Sequence, residues 1–336
     1  MDAVAILCVA IDSNLERKGP AMHGAVSLVR PDGGQIRPDL LELLACPKCR
    51  AALMQGRNEL RCTGCASAYE VNQGIPVLVP DDVNTVHLDE EQNLALMMRS
   101  REQLPEEQFN LSQWSLSKRE FWAMVRSVAA DSPPKRFVNI GCGFDPSCAE
   151  FEKLGHTFVN LDLVFDMLAH LRRDCGAASC VNGDVNRIPL KTGAFDYAVS
   201  IDLIHHECER LPELLASFRD LLKPKGILFL EDPNAWGLFQ MAKSIFMPRF
   251  AYKSLRSAYH TLKRSTHRPA DYEFPTNVWR VMALLRELGF EDIKCYPHTA
   301  YPTVSERSHR IYRSLSGLEF VRKYHNYHYM LSAVRA

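Results

Sequence analysis

Four cysteines stand in two identical spacings, Cys46-Pro47-Lys48-Cys49 and, twelve residues on, Cys62-Thr63-Gly64-Cys65. Four thiolates so spaced close on one tetrahedral Zn2+, with Zn–S near ~2.3 Å and no coordination position left for water. Such a site is structural and not catalytic; it supplies folding free energy that a unit of only about 45 residues cannot draw from its own core. Further along, the apolar run Val138-Asn139-Ile140 ends in Gly141-Cys142-Gly143 and leads through Phe144-Asp145 to Pro146. A strand ending in Gly-x-Gly lets its backbone approach a nucleotide-type ligand, because any Cβ would hold that ligand away. Asp162 and Asp184 close two later apolar runs, and His205-His206 follow a third. An imidazole titrating near neutrality suits the removal of a proton from a hydroxyl.

The runs recur at regular intervals. Thr157–Asp162, Cys180–Asp184 and Ala194–Asp202 are followed by Leu221-Leu222-Lys223-Pro224-Lys225-Gly226 and the strand Ile227–Asp232. This series resembles the class I S-adenosylmethionine (SAM) dependent methyltransferases over roughly residues 117–335. An NAD-dependent dehydrogenase would also carry an acid about 20 residues past the glycines, but not the third acid or the Phe-Asp and Leu-Lys-Pro-x-Gly punctuation. The resemblance implies that the Gly141–Gly143 turn lies under the methionine part of SAM, that Asp162 accepts from the ribose hydroxyls, and that Asp184 meets the adenine amino group. A carboxylate suits the vicinal diol because it accepts both donors together. Cys142, Val185 and Asp202 complete the expected cofactor wall, and His205 or His206 is expected at the acceptor as general base, with packing on the cofactor as the alternative.

Two positions depart from the family pattern. Asn139 stands where an acid is usual, and Asp145 where a third glycine is common. Asp145 before Pro146 is a good N-cap and N1 pair, so it either only starts a helix or also holds the SAM ammonium. The lost acid at Asn139 leaves open a non-catalytic SAM-binding partner protein. The Asn/Asp-Pro-Pro-aromatic motif of amino-methylating DNA and release-factor enzymes is missing; Asp232-Pro233-Asn234 is only loosely similar. The cysteine unit, through Leu41–Cys49 and Gly74-Ile75-Pro76-Val77-Leu78, resembles the small zinc-ribbon activator subunit of tRNA, rRNA and release-factor methyltransferases. That subunit binds and solubilises its enzyme partner, so a fused copy implies the same help in cis.

These residues need a scaffold. The 336 residues, 46% hydrophobic and 24% charged, suit an ordinary globular chain with one full α/β domain and one small one. The expected fold is a Rossmann-like seven-stranded methyltransferase sheet with helices on both faces, preceded by the ribbon. The expected organisation is a disordered extension over 1–36 (with Met22 as an alternative start), the zinc ribbon over 37–80, an acidic linker over 81–115 and the methyltransferase domain over 116–336. Short helices are expected at Pro38–Ala45 and around Leu94–Met98, and a closing strand at Tyr324–Val334. No apolar run is long enough to span a membrane and no signal peptide is evident, so the expected location is cytoplasmic.

The zero net charge hides an asymmetry. Residues 81–107 hold eight acids against Arg99 and Arg101. The insert 233–272 has no acid up to residue 270, while seven basic residues (Lys243, Arg249, Lys253, Arg256, Lys263, Arg264 and Arg268) interleave with Trp236, Phe239, Phe246, Phe250, Tyr252 and Tyr259. Such a mixture serves a phosphorylated or otherwise anionic small acceptor, a lipid-linked one, an RNA backbone, or a membrane surface met through residues 236–268. The reading that follows is a SAM-dependent methyltransferase that O-methylates a small or lipid-linked anionic substrate, with RNA as the rival acceptor.

Overall fold

Because both faces of a parallel sheet are covered, its strands read as near-continuous apolar runs, and the runs found in the sequence take that form here. A computed structural model describes residues 35–83, 113–129, 133–238, 241, 275–298, 314 and 317–336. Five parallel strands form the sheet's body: β5 (Arg136–Ile140), β6 (Thr157–Asp162), β7 (Ser179–Asn182), β8 (Phe195–Ile201) and β9 (Leu222–Pro233). Two antiparallel strands, β10 (Phe290–Tyr296) and β11 (His328–Arg335), complete the order β10-β11-β9-β8-β5-β6-β7. The chain leaves β5 toward β6 and β7 on one side and returns to β8 and β9 on the other. Ligands bind outside the carboxyl ends of the strands at such a switch point.

Helices cross between the parallel strands: α3 (Cys148–Lys153), α4 (Phe165–Asp174) and α5 (Leu211–Leu221). The helix α2 (Gln113–Ala129) precedes β5. Helix α5 shows why they form. Pro212 sits in its first turn, and Leu211, Leu214, Leu215, Phe218 and Leu221 give a buried stripe at helical spacing. Helix α6 (Val278–Glu287) is capped by Asn277 Oδ1, which accepts from Trp279 N at 2.9 Å and Arg280 N at 3.3 Å.

The cysteine unit holds helix α1 (Pro38–Leu41) and a four-stranded antiparallel sheet of β1 (Leu53–Gln55), β2 (Glu59–Cys62), β3 (Ala68–Asn72) and β4 (Ile75–Pro76). It does not stand apart. Leu40, Leu43, Leu44, Leu60, Tyr69 and Leu78 join Val138, Ile140, Leu161, Val181 and Leu190 in one core. Val77 pairs in parallel with Asn182, and Leu78 N donates to Asn182 O at 2.8 Å, so the ribbon is bridged to the end of edge strand β7. Ala45 N donates to Pro189 O at 3.0 Å, Lys191 N donates to Leu43 O at 2.8 Å, and the Arg50 guanidinium donates to the carbonyls of Ile188 and Leu190.

Three local expectations are revised. Helix α1 stops at Leu41 and not at Ala45, because the backbone of Leu43–Ala45 is used to pair with the loop around Leu190. Helix α3 begins at Cys148, not at Pro146; Asp145 Oδ1 accepts from Ser147 N, two residues on, as an N-cap does, but Pro146 and Ser147 form a turn ahead of the helix. Residues Glu319–Tyr324 form a helix, α7, stabilised by a Glu319–Lys323 pair at 2.6 Å, so the closing strand starts only at His328. The segments around Leu94–Met98 and before residue 35, and the basic residues from Lys243 to Arg268, lie outside the described residues.

Candidate active site

The glycine turn after β5 carries the first part of the site. Gly141 and Gly143 have φ of +67° and +53°, a left-handed conformation that favours glycine. A Cβ at Gly141 would come within 2.8 Å of Leu203, whereas one at Gly143 would meet nothing within 4 Å. Among the described residues the space over Gly143 is open. Asp162 reaches the same turn from the end of β6: its Oδ2 accepts from Gly143 N at 2.8 Å and its Oδ1 from Val164 N at 2.9 Å. Burial raises the Asp162 pKa above its ordinary value, while these two backbone donors oppose the shift.

Asp184, after β7, caps a short 3-10 turn in which Val185 is buried; its Oδ1 accepts from Asn186 N at 2.8 Å. A cleft of about 270 Å³ opens there, lined by Asp184, Asn186, Arg187 and Arg210 together with Asp82 and Val83. The last two follow the ribbon, and Asp82 binds Arg187 at 2.6 Å. Cys142 is buried behind the turn, and burial pushes its thiol well up. Asp145 is also buried and its carboxylate is engaged, accepting from Trp122 Nε1 at 2.6 Å and from Ser147 N and Oγ at 3.0 and 2.6 Å. Asn139 lies in the sheet with its Oδ1 buried and without a hydrogen bond. An aspartate there would have to hold an unpartnered charge in a dry place, and the amide lowers that cost.

The second part forms beyond β8 and β9. His205 Nδ1 lies 2.9 Å from Asp232 Oδ1. Asp232 Oδ2 accepts from Thr276 Oγ1 at 2.8 Å, and Thr276 Oγ1 lies 2.6 Å from Tyr329 OH. With the Thr276 proton given to Asp232, Tyr329 donates to Thr276, and the chain runs toward the carboxylate from both ends. A proton on His205 Nδ1, donated to ionised Asp232, would leave Nε2 as the basic nitrogen. His206 lies against His205, with ring centroids 4.2 Å apart.

Beside this chain stands a second group. Asp202, with φ of +53°, follows β8; Glu231 ends the apolar part of β9; His328 opens β11 and bonds Glu231 through Nδ1. Burial and the neighbouring Glu231 raise the Asp202 pKa. For His328 burial works against the charge, but Glu231 and Asp202 outweigh it and lift the imidazole to about 9. Asp232, Thr276, Tyr329, Glu231 and His328 were not singled out from the sequence. Two successive acids at the end of an apolar strand were the one available signal; the others reach the site through tertiary pairing.

In the ribbon the four cysteines converge, with every Sγ within 4.8 Å of the rest. Cys46 and Cys65 are 3.7 Å apart and Cys49 and Cys62 3.3 Å apart, against about 3.8 Å for the edge of a tetrahedron with Zn–S bonds of ~2.3 Å. Gly64 N and Cys65 N donate to Cys62 Sγ at 3.3 and 3.4 Å.

Comparison with known proteins agrees with this division. Residues 37–74 match the Trm112p-like protein family, and residues 138–230 match a methyltransferase domain family. A UPF0434 protein of Azotobacter vinelandii is 40% identical over 55 residues, which are 16% of this chain and 90% of that protein. A malonyl-[acyl-carrier protein] O-methyltransferase of Erwinia pyrifoliae is 31% identical over 125 residues, 34% of this chain and 47% of that enzyme. The chain thus spans about half the length of that relative. Among solved structures, a SAM-dependent methyltransferase of Archaeoglobus fulgidus aligns with a TM-score of 0.46 at 18% identity, over 68% of this chain and 97% of that one. By its N-terminal unit the chain belongs to the Trm112p-like (UPF0434) family, and residues 138–230 of the larger unit behind it match a methyltransferase domain family.

Proposed function

We propose that this protein transfers a methyl group from SAM to a hydroxyl oxygen of a small or lipid-linked acceptor, with His205 as general base. The observation that carries the reading is the chain from half-buried His205 through buried Asp232, Thr276 and Tyr329 beside the carboxyl ends of β8 and β9. SAM supplies a methyl group already bonded to a positive sulfur, so transfer is an in-line displacement governed by alignment and exclusion of water. A carboxylate acceptor needs no base, whereas a hydroxyl does, and an oriented imidazole is worth about 10²–10⁴ in rate. His205 Nε2 takes the hydroxyl proton while Asp232 holds the ring and steadies the imidazolium.

In the cofactor half, Gly141–Gly143 lie under the methionine, Asp162 accepts from the ribose, and Asp184 meets the adenine. Asp145 accepts from Trp122 and Ser147, which fixes its carboxylate just after the glycine turn. The seven cations of residues 243–268 are assigned to the anionic part of the acceptor. Zn2+ held by Cys46, Cys49, Cys62 and Cys65 would set the ribbon's fold.

Labelled SAM offered with whole-cell metabolites, lipids and RNA identifies the acceptor class. Methyl incorporation into a small molecule or lipid that falls at least 100-fold in His205→Ala, with calorimetric SAM affinity retained, is expected. Label found in RNA, with a steep salt dependence, would overturn the small-acceptor reading. Unchanged turnover in His205→Ala would remove the base.

A further inference from the structure

We infer that Asp202, Glu231 and His328 form a binding site for a divalent first-row metal ion, separate from the cysteine centre. Three adjacent strands deliver these groups to one level of the sheet. Glu231 on β9 is in register with Met330 on β11 and Ile201 on β8. Opposed residues in paired strands share a face, and so do residues two apart, so His328 and Glu231 project to the same side. Asp202 follows Ile201 and by simple alternation would face away. Its left-handed backbone breaks that alternation, and its N–H donates to Glu231 O at 3.0 Å, tying it to the neighbouring strand. As a result one ligating atom from each of the three side chains lies within 4.8 Å of the other two.

The donor set is two carboxylates and one imidazole. It is harder than the four-thiolate centre and softer than the all-oxygen shells of Mg2+ or Ca2+, which points to Mn2+, Fe2+ or Zn2+. Glu231 is 1% exposed and His328 8%, whereas Asp202 is half-buried. His298, fully buried, places Nε2 3.9 Å from Glu231 Oε1 and Nδ1 3.5 Å from Glu120 Oε2. Such outer partners orient a ligating carboxylate. Among the described residues three protein ligands are supplied, a number that leaves positions for water or for an oxygen of a bound molecule. The inference does not rest on methyl transfer, because the ion itself can be counted.

The test uses the full chain, dialysed free of loose metal and titrated with Mn2+ while free Mn2+ is followed by its paramagnetic resonance signal. Total metals are measured in parallel by elemental analysis. One Mn2+ per chain is expected, weakened at least ten-fold in Asp202→Asn and in Glu231→Gln, with the metal on the cysteines unchanged. Asp202→Asn changes the least buried of the three and keeps side-chain size, so it guards against loss of fold in the more buried variant; thermal melts of both check this. No Mn2+, Fe2+ or Zn2+ uptake beyond the cysteine site would overturn the inference. Uptake equal in wild type and both variants would overturn it too, by placing the ion elsewhere.

Discussion

Asp162 and Thr276 show two ways in which a side chain can serve a site. Asp162 accepts from Gly143 N with one oxygen and from Val164 N with the other, and each carboxylate oxygen has a further lone pair to offer a ribose. Asp162→Ala is expected to weaken SAM binding by roughly 1.5–3 kcal/mol, the worth of hydrogen bonds to a charged acceptor; unchanged calorimetric affinity would show that the ribose contact is assigned to the wrong residue. Thr276 acts through Asp232 and His205. Thr276→Val should lower kcat roughly ten-fold, a fraction of the ~10²–10⁴ available to a general base, and shift the acidic limb of the pH–rate profile. Thr276→Ser should restore both, and SAM affinity should stay constant throughout. The glycines, the strand-end acids, the cysteine pairs and the two histidines were legible in the sequence because each is a local pattern of residue types at short spacing. Asp232, Thr276 and Tyr329 were not, since residues so far apart in the chain meet only when β11 pairs with β9 and α6 packs beside them.

Among the elements, the short helix α3 carries a testable electrostatic cost. Glu152 accepts from Ala178 N with its two oxygens at 3.2 and 3.4 Å, which ties α3 to the turn before β7. Burial raises its pKa from 4.5 to about 7. An acid whose folded pKa lies above its unfolded value binds its proton more readily when folded. The protein therefore loses stability as pH rises from about 4.5 to about 7, and the loss is complete above that range. Glu152→Gln keeps the acceptor for Ala178 and removes the charge. It should stabilise the protein by about 1–2 kcal/mol at pH 8, after allowing for partial solvent screening, and by almost nothing at pH 4. Denaturant melts at the two pH values measure this, and equal effects at both would mean that Glu152 is not the titrating group. The elements also show where sequence reading stops short. Leu43, Leu44 and Ala45 suit a helix by type, yet their backbone is drawn into pairing with Pro189–Lys191. Likewise the alternation through Tyr324–Val334 does not reveal that Glu319–Tyr324 closes as a helix before the strand begins. In both places tertiary contacts outweigh local preference.

At the scale of the whole molecule the two units share a core and a cleft. Asp82 and Val83, which follow the ribbon, line the cleft that holds Asp184, and Arg187 joins the two sides. Removing metal from the cysteines should therefore lower the melting temperature of the whole chain and weaken SAM binding together. Cys62→Ser should do the same without chelator. If the ribbon melts alone in calorimetry while SAM affinity is kept, the units are energetically independent despite their contacts. The bridge from the end of β7 to Val77 has a consequence of a different kind. An outer strand offers unpaired amides and carbonyls to any extended chain it meets, and here its last residue, Asn182, is paired with Val77 and Leu78 of the same polypeptide. Because the two surfaces are tethered, their encounter is governed by an effective concentration in the millimolar range and not by how much protein is present. Docking should hold at any dilution, with a fixed ratio of one ribbon to one catalytic unit, and a separately added ribbon would compete for the same edge at a large disadvantage.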